Sequence, residues 1–203
     1  MTKTLSALVI NCTLKASPAK SSTDKLSYQL IAEFKKQGVE SKILRVADHN
    51  VMPGVEVDMG KDDGWPKIRS ALYDADILIV ATPIWMGHMS SFAQRVMERL
   101  DAELSEKDDA GRLRTYGKVA GVVVVGNEDG AHHVSAELFQ GLNDVGFSLA
   151  PGAVVYWVGE AMQTTDYKDL KSTPENVIST TVSLALNTTH MARLLQESMY
   201  PAS

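Results

Sequence analysis

Five hydroxyls and an ammonium group crowd one stretch near the start of the chain: Thr13, Lys15, Ser17, Ser21, Ser22 and Thr23. Hydroxyls donate to anionic oxygens, and Lys15 adds a positive charge beside them. The stretch lies between an apolar run, Leu5 to Ile10, and a helical pattern carried by Leu26, Leu30 and Phe34. A helix N-terminus presents unpaired N–H groups and a partial positive charge, which suits an anion. Phosphate binding is the chemistry these residue types support. The plainer alternative is an N-capped helix after a long surface loop, and this stretch alone does not choose between them. Two further loops carry chemically useful residues. One reads Thr82-Pro83-Ile84-Trp85-Met86-Gly87-His88-Met89-Ser90, the other Gly126-Asn127-Glu128-Asp129-Gly130 followed by His132-His133. The paired histidines can face a ligand or stand in water in a first helical turn. Glu128 and Asp129 are near them, but no third ligand completes a metal site, so no metal is expected. Cys12, without a base in view, reads as a small buried filler. Asp58, Asp62 and Asp63 lack the spacing of a calcium loop, and Asp62/Asp63 read as an acidic helix cap.

The elements that position these loops follow from apolar periodicity. The first strand, Leu5–Ile10, leads into a helix expected to end near Gln37-Gly38. Residues 40–47 read as a short, charged edge strand. A loop over 48–63 precedes a helix with Trp65, Ile68 and Leu72 on one face and Pro66 in its first turn. Residues 76–83 and Val119–Val125 are continuous apolar runs, as in strands buried on both faces. Between them, Ser90-Ser91 opens a helix carrying Phe92, Val96, Leu100 and Leu104. A helix with Val134, Leu138, Leu142 and Val145 follows the fourth strand. A fifth strand, Val154–Val158, comes next, and Trp157 at its end either closes a ligand crevice or, more simply, packs in the core. Thr173 and Pro174 are the expected cap and first residue of a final helix reaching about Met199. Strand and helix alternate five times. The implied class is α/β: a five-stranded parallel sheet with helices on both faces.

Composition narrows the function. The 203 residues suit a single domain spanning 1–203. A net charge of −5 and the lack of a basic patch argue against nucleic-acid binding. The longest apolar runs are too short to cross a bilayer, so no membrane insertion is expected. The N-terminal apolar run is short for a signal peptide and no small-residue cleavage site follows it, so a cytoplasmic location is the simplest expectation. One cysteine excludes an internal disulfide framework.

In an open parallel sheet, ligands bind beyond the carboxyl ends of the strands, where strand order reverses. The three rich loops all follow strands, which predicts one crevice with a phosphate-ready end and an apolar, aromatic side. No G-x-G-x-x-G follows the first strand. Gly111 to Lys118 has the wrong spacing and context for a Walker loop. Gly146-Phe-Ser148-Leu-Ala150 lacks the second glycine of a nucleophile elbow.

Across nearly its whole length the chain resembles the flavodoxin-like NAD(P)H-dependent FMN reductases. Their first loop reads like G-S-x-R followed by S/N-T, and Asn11-Cys12-Thr13-Leu14-Lys15 with Ser21-Ser22-Thr23 stands in its place. Their third-strand loop reads like T-P-x-Y-x-G-S-M-S, and residues 82–90 match it closely. Their fourth loop is glycine-rich, as 126–130 is here. Cys12, Lys15 and Trp85 depart from the usual Gly, Arg and Tyr. The resemblance implies strand order 2-1-3-4-5 and non-covalent FMN. The phosphate would then rest on Thr13, Lys15, Ser17, Ser21, Ser22 and Thr23. The ring would lie against Thr82, Pro83, Ile84, Trp85, Met86 and Gly87, with Gly126, Asn127, Glu128, Asp129, Gly130 and His132 at its polar edge. Hydride would pass from NAD(P)H through FMN to a quinone, flavin or similar small acceptor. No side chain need be catalytic, because the cofactor carries the chemistry. The resemblance further implies a homo-oligomer, a dimer or tetramer. A flavodoxin-type electron carrier without a nicotinamide site is the main alternative. A binding module that has lost FMN is a third, and it would need a spoiled phosphate loop.

Overall fold

The structure, a computed structural model, describes residues 4–161 and 163–202. Its parallel strands are β1 (Ser6–Asn11), β2 (Glu40–Arg45), β3 (Ile77–Trp85), β5 (Val119–Gly126) and β6 (Ser148–Val158). A two-residue strand, β4 (His88–Met89), folds back antiparallel on β3. The helices are α1 (Ser22–Lys36), α2 (Trp65–Asp74), α3 (Ser91–Leu100), α4 (Ala131–Asp144) and α5 (Glu175–Glu197). The sheet order is β2-β1-β3-β5-β6. Counting the parallel strands alone, this is the expected flavodoxin-like order 2-1-3-4-5.

The central strands β1, β3 and β5 are apolar through their middles because both of their faces are covered. On one face Trp65, Ile68 and Leu72 of α2, Val96 and Leu100 of α3, and Leu138 of α4 pack on Leu8, Val80 and Val122. On the other, Leu26, Leu30 and Phe34 of α1 and Leu184 of α5 pack on Val9, Ile79 and Val123. At the edge, β2 is only partly buried, as its charge requires. Strand order reverses between β1 and β3, so the loops after these two strands diverge and leave a crevice.

Four local expectations need correction. The helix at 91 ends at Leu100, and a 3₁₀ turn over 101–105 carries Leu104 outward, where it is exposed. β6 begins at Ser148, six residues before the apolar run that marked it, and a register shift opposite Ala120/Val122 absorbs the mismatch. Thr173 does not cap α5. Pro174 occupies the cap position, and the Thr173 hydroxyl accepts a hydrogen bond from Gln29 Nε2 at 2.7 Å. Asp62 is no cap either: it sits in a turn with φ of 69°, and Gly64 precedes α2. Asp63 does accept the Trp65 N–H at 3.1 Å, but its main partner is Arg99, at 2.8 Å in a pair with both side chains fully buried. Arg99 also donates to the carbonyls of Met52 and Glu56, which fastens the long 46–64 loop to α3.

Candidate functional site

β1 ends by turning its backbone over β3: the Cys12 N–H donates to Ala81 O at 2.7 Å, and Ser90 Oγ donates to Cys12 O at 2.7 Å. Ser90 is also the N-cap of α3. One serine thus caps a helix and pins the start of the phosphate-ready loop. Cys12 is fully buried, and burial pushes its thiol far above the ordinary range, so it is not a nucleophile. Asn11 Oδ1 accepts the Thr13 N–H at 3.0 Å, while Asn11 Nδ2 donates to Asp24 Oδ1 at 2.8 Å. Arg45, whose Cα pairs with that of Asn11 in the sheet, completes the brace. Its guanidinium meets Asp24 Oδ2 at 2.7 Å and donates to the carbonyls of Lys15 and Ala19. The loop leaves this scaffold with Thr13, Ser21 and Thr23 buried at its inner side. Ser21 caps α1, with its Oγ accepting the Asp24 N–H at 3.4 Å.

A crevice of about 260 Å³ opens at this point. Thr13, Leu14, Lys15, Ser21, Ser22 and Thr23 line one end; Pro83, Ile84 and Trp85 line a side. Val125, Gly126, Asn127 and Glu128 form the floor and far edge, and Trp157, Asp166 and Lys168 close the remaining side. The crevice lies beyond the carboxyl ends of β1, β3 and β5, where an open sheet binds its ligands. A hollow of about 240 Å³ at the opposite ends of β1 and β2, bounded by Ser6, Glu40, Lys42 and Asp74, lacks any such convergence of loops.

The sequence-predicted residues divide into two sets. Eleven line the crevice: Thr13, Lys15, Ser21, Ser22, Thr23, Pro83, Ile84, Trp85, Gly126, Asn127 and Glu128. The structure draws the others elsewhere. Ser17 stands on the outer side of the loop, giving its N–H and Oγ to Asp48 at 2.7 and 2.6 Å. Those two bonds hold the Asp48 carboxyl below its usual range. Thr82 is fully buried and its Oγ accepts the Ser90 N–H at 3.0 Å, so it shapes the loop from beneath. Met86 and Gly87 form the tip of the β3–β4 hairpin, both with positive φ (54° and 77°), and Met86 is 87% exposed. A two-residue turn of that hand joins strands with the right twist. Asp129 is exposed and spends its Oδ1 on the Gly130 N–H. Gly130 touches the hairpin, not the crevice: a Cβ there would come within 2.6 Å of Gly87 O. His132 points to β6, its Nε2 3.0 Å from the Tyr156 hydroxyl.

Trp157, for which the sequence left open both core packing and closure of the crevice, lies at the end of β6 beside Val125 and packs on Tyr167 with ring centroids 5.3 Å apart. It serves core and crevice at once, while two further lining residues are not marked in the sequence. Asp166 and Lys168 belong to a polar segment with no periodicity to mark it. Lys168 bonds Asp166 at 2.6 Å, and its N–H donates to Ser22 Oγ at 3.2 Å. Lys168, first, and the nearby Asn127 and Lys15 hold the Asp166 carboxyl low despite partial burial. Asn127 Nδ2 donates to Asp166 at 2.9 Å, but its buried Oδ1 has no partner among the described residues. A buried acceptor left unpaired is costly, and here it borders the crevice, where a ligand N–H can satisfy it.

Comparison with known proteins places this geometry among flavin proteins. A family model described as NADPH-dependent FMN reductase matches residues 6–162. The 8-demethyl-8-aminoriboflavin-5'-phosphate synthase of Streptomyces davaonensis is 34% identical over 97% of this chain and 80% of its own length. A Mycobacterium bovis protein named divalent metal cation transporter MntH is 37% identical over 95% of this chain. The chain spans only 29% of that protein. Among solved structures, RosB with bound 8-demethyl-8-formylriboflavin-5'-phosphate superposes with a TM-score of 0.88 at 33% identity, covering 97% of this chain and 82% of that one.

Proposed function

The chain belongs to the NADPH-dependent FMN reductase family, and from that premise we propose that it passes a hydride from NAD(P)H, by way of FMN, to a quinone, a second flavin or a similar small acceptor. The observation that carries this reading is the two-natured lining of the crevice. It joins hydroxyls, Lys15 and the N-terminus of α1 to the indoles of Trp85 and Trp157. FMN has the matching shape, with a dianionic phosphate at one end and a flat ring at the other.

The residues present fit such a group. Thr13, Ser21, Ser22 and Thr23 donate to phosphate oxygens together with the free N–H groups of the first turn of α1. Lys15 adds charge without the forked geometry of an arginine. Pro83, Ile84 and Trp85 flank the ring plane. Gly126 has to lack a side chain to pack beside Ile84, because a Cβ there would sit 2.8 Å from Ile84 Cβ. Asn127 Oδ1 supplies the acceptor that a ring N–H needs. When bound, FMN supplies the redox chemistry itself; the protein binds, orients and shields. We extend the proposal to a single domain over 1–203 that works as a homo-oligomer, which light scattering of the purified protein checks.

Rapid mixing tests the assignment. Purified protein should be yellow or take up added FMN, and NADPH or NADH should bleach the flavin within the turnover time. Flavin that resists both nucleotides yet accepts electrons from a protein partner would point to a carrier instead. A second reading has one specific support: the relative that is 34% identical is named for making a riboflavin 5'-phosphate derivative. There the flavin is product, not cofactor. Mass spectrometry of the flavin after turnover separates the two, since a cofactor keeps its mass.

A further inference from the structure

Beside the crevice, three side chains that the proposed reaction does not use converge on one point. His88 lies in β4, and His133 and Glu137 lie one turn apart on α4. His88 Nδ1 and His133 Nε2 stand 3.3 Å apart, and His133 Nε2 is 3.4 Å from Glu137 Oε1. One nitrogen or oxygen from each of the three lies within 4.8 Å of the others. Zinc bonds nitrogen and oxygen at about 2.0–2.2 Å, so neighbouring ligand atoms of a tetrahedral site stand roughly 3.4 Å apart. Two of the three separations here already have that value. The two ring planes meet at 76°, which lets both nitrogens aim at a common point without stacking. Residues at i and i+4 share a helix face, the spacing by which helical ligands embrace a metal.

The backbone holds these groups in place. The Gly87 N–H donates to Glu128 Oε2 at 3.2 Å, and Gly130 packs directly on the Gly87 carbonyl. His88 follows the first contact point and His133 follows the second, so neither is carried on a free loop. In sequence His132-His133 stand beside Glu128 and Asp129, but His132 turns to Tyr156, and His133 meets Glu137 one turn further along the helix and His88 from β4.

We propose that His88, His133 and Glu137 bind one divalent d-block cation, zinc or a metal of similar preference, as a clamp between the β3–β4 hairpin and α4. Two imidazoles and a carboxylate suit such ions and not calcium or magnesium, which take all-oxygen sets. Three protein ligands leave an open position for water or another oxygen donor. The site stands on its own side chains and does not depend on FMN being present.

Calorimetric titration of the purified full-length chain with Zn²⁺, repeated with Co²⁺ while its visible absorption is recorded, tests this. Saturation at one ion per chain is expected, with the Co²⁺ bands of a low-coordinate nitrogen–oxygen site. His88→Gln and His133→Gln should each weaken binding at least about tenfold, and Glu137→Gln by a smaller factor. His190→Gln, an exposed histidine on α5, should change nothing. All four positions are exposed, and circular dichroism verifies that each variant folds. No saturable binding, or affinity unchanged in either His88→Gln or His133→Gln, overturns the site. Equal binding with and without FMN is expected, so a protein that takes up no added FMN and still binds zinc would sink the flavin assignment and leave this one standing.

Discussion

The two ends of the crevice are built differently. The hydroxyl end rests on a lattice of buried or half-buried bonds: Asn11, Asp24 and Arg45 brace it from below, and Ser90 pins Cys12. The aromatic end has few such ties. Trp85 is 53% exposed, and the hairpin tip beside it meets the rest of the molecule through Gly87 and His88. A rigid anion cradle fits a group held through every turnover, because prepaid ordering raises affinity. An open aromatic wall fits a face that must admit and release two different partners in turn. Under the proposed function, recognition of FMN would rest on the hydroxyl end and turnover on the other.

Substitutions at the two ends should therefore separate. Thr13→Ala combined with Thr23→Ala should raise the FMN dissociation constant on the order of 100-fold, from two lost bonds to a charged group. Fluorescence titration reads it, and an unchanged constant would remove the rigid cradle from the argument. Arg45→Ala comes next. It strips Asp24 of its charged partner and frees two loop carbonyls, at a cost of about 2 kcal/mol in denaturant unfolding and with weaker FMN retention. If only stability falls, the brace serves the fold and not the ligand.

Acid probes a second tightly held region, the 46–64 loop on α3, through Asp63. Burial alone would raise its pKa, but N–H groups of Met59, Trp65 and Met52 and the Arg99 guanidinium prevail and lower it to about 2. A lowered folded-state value means that its contribution is complete above the ordinary carboxylate range and is lost as pH falls through about 2. Unfolding free energy should thus drop by on the order of 2 kcal/mol between pH 4 and pH 2, and Asp63→Asn should flatten that slope. The smallest effect on stability belongs to the open end. Trp85→Ala should shift the unfolding free energy by no more than about 0.5 kcal/mol, as exposed positions do, while slowing flavin bleaching by NADPH in rapid mixing. A large loss of stability would show that the aromatic wall is as tightly held as the cradle.

The held end was the more legible in sequence. Strand order, the two-faced core and the hydroxyl cluster follow from runs of apolar residues and from side chains adjacent along the chain. Arg45 was missed although strand pairing places it beside Asn11, because that neighbour is set by the sheet and not by the sequence. Asp166 and Lys168 were missed for a related reason: their segment has no period, and only its path across the crevice gives it a role. Ser17 and Thr82 looked like ligand donors but turn to Asp48 and Ser90. A hydroxyl's type is visible in sequence; the direction in which it points is not. His133 shows the same limit, since its partner Glu137 lies within sequence reach while His88 comes from another strand.

Tryptophan placement has an optical consequence. Of the three indoles in the chain, Trp65 is fully buried under α2, while Trp85 and Trp157 border the crevice. A flavin seated between the latter two would absorb their emission and leave that of Trp65 as a nearly constant background. The protein thus carries its own occupancy gauge, and Trp85→Phe and Trp157→Phe would report separately on the two sides of the crevice as it fills.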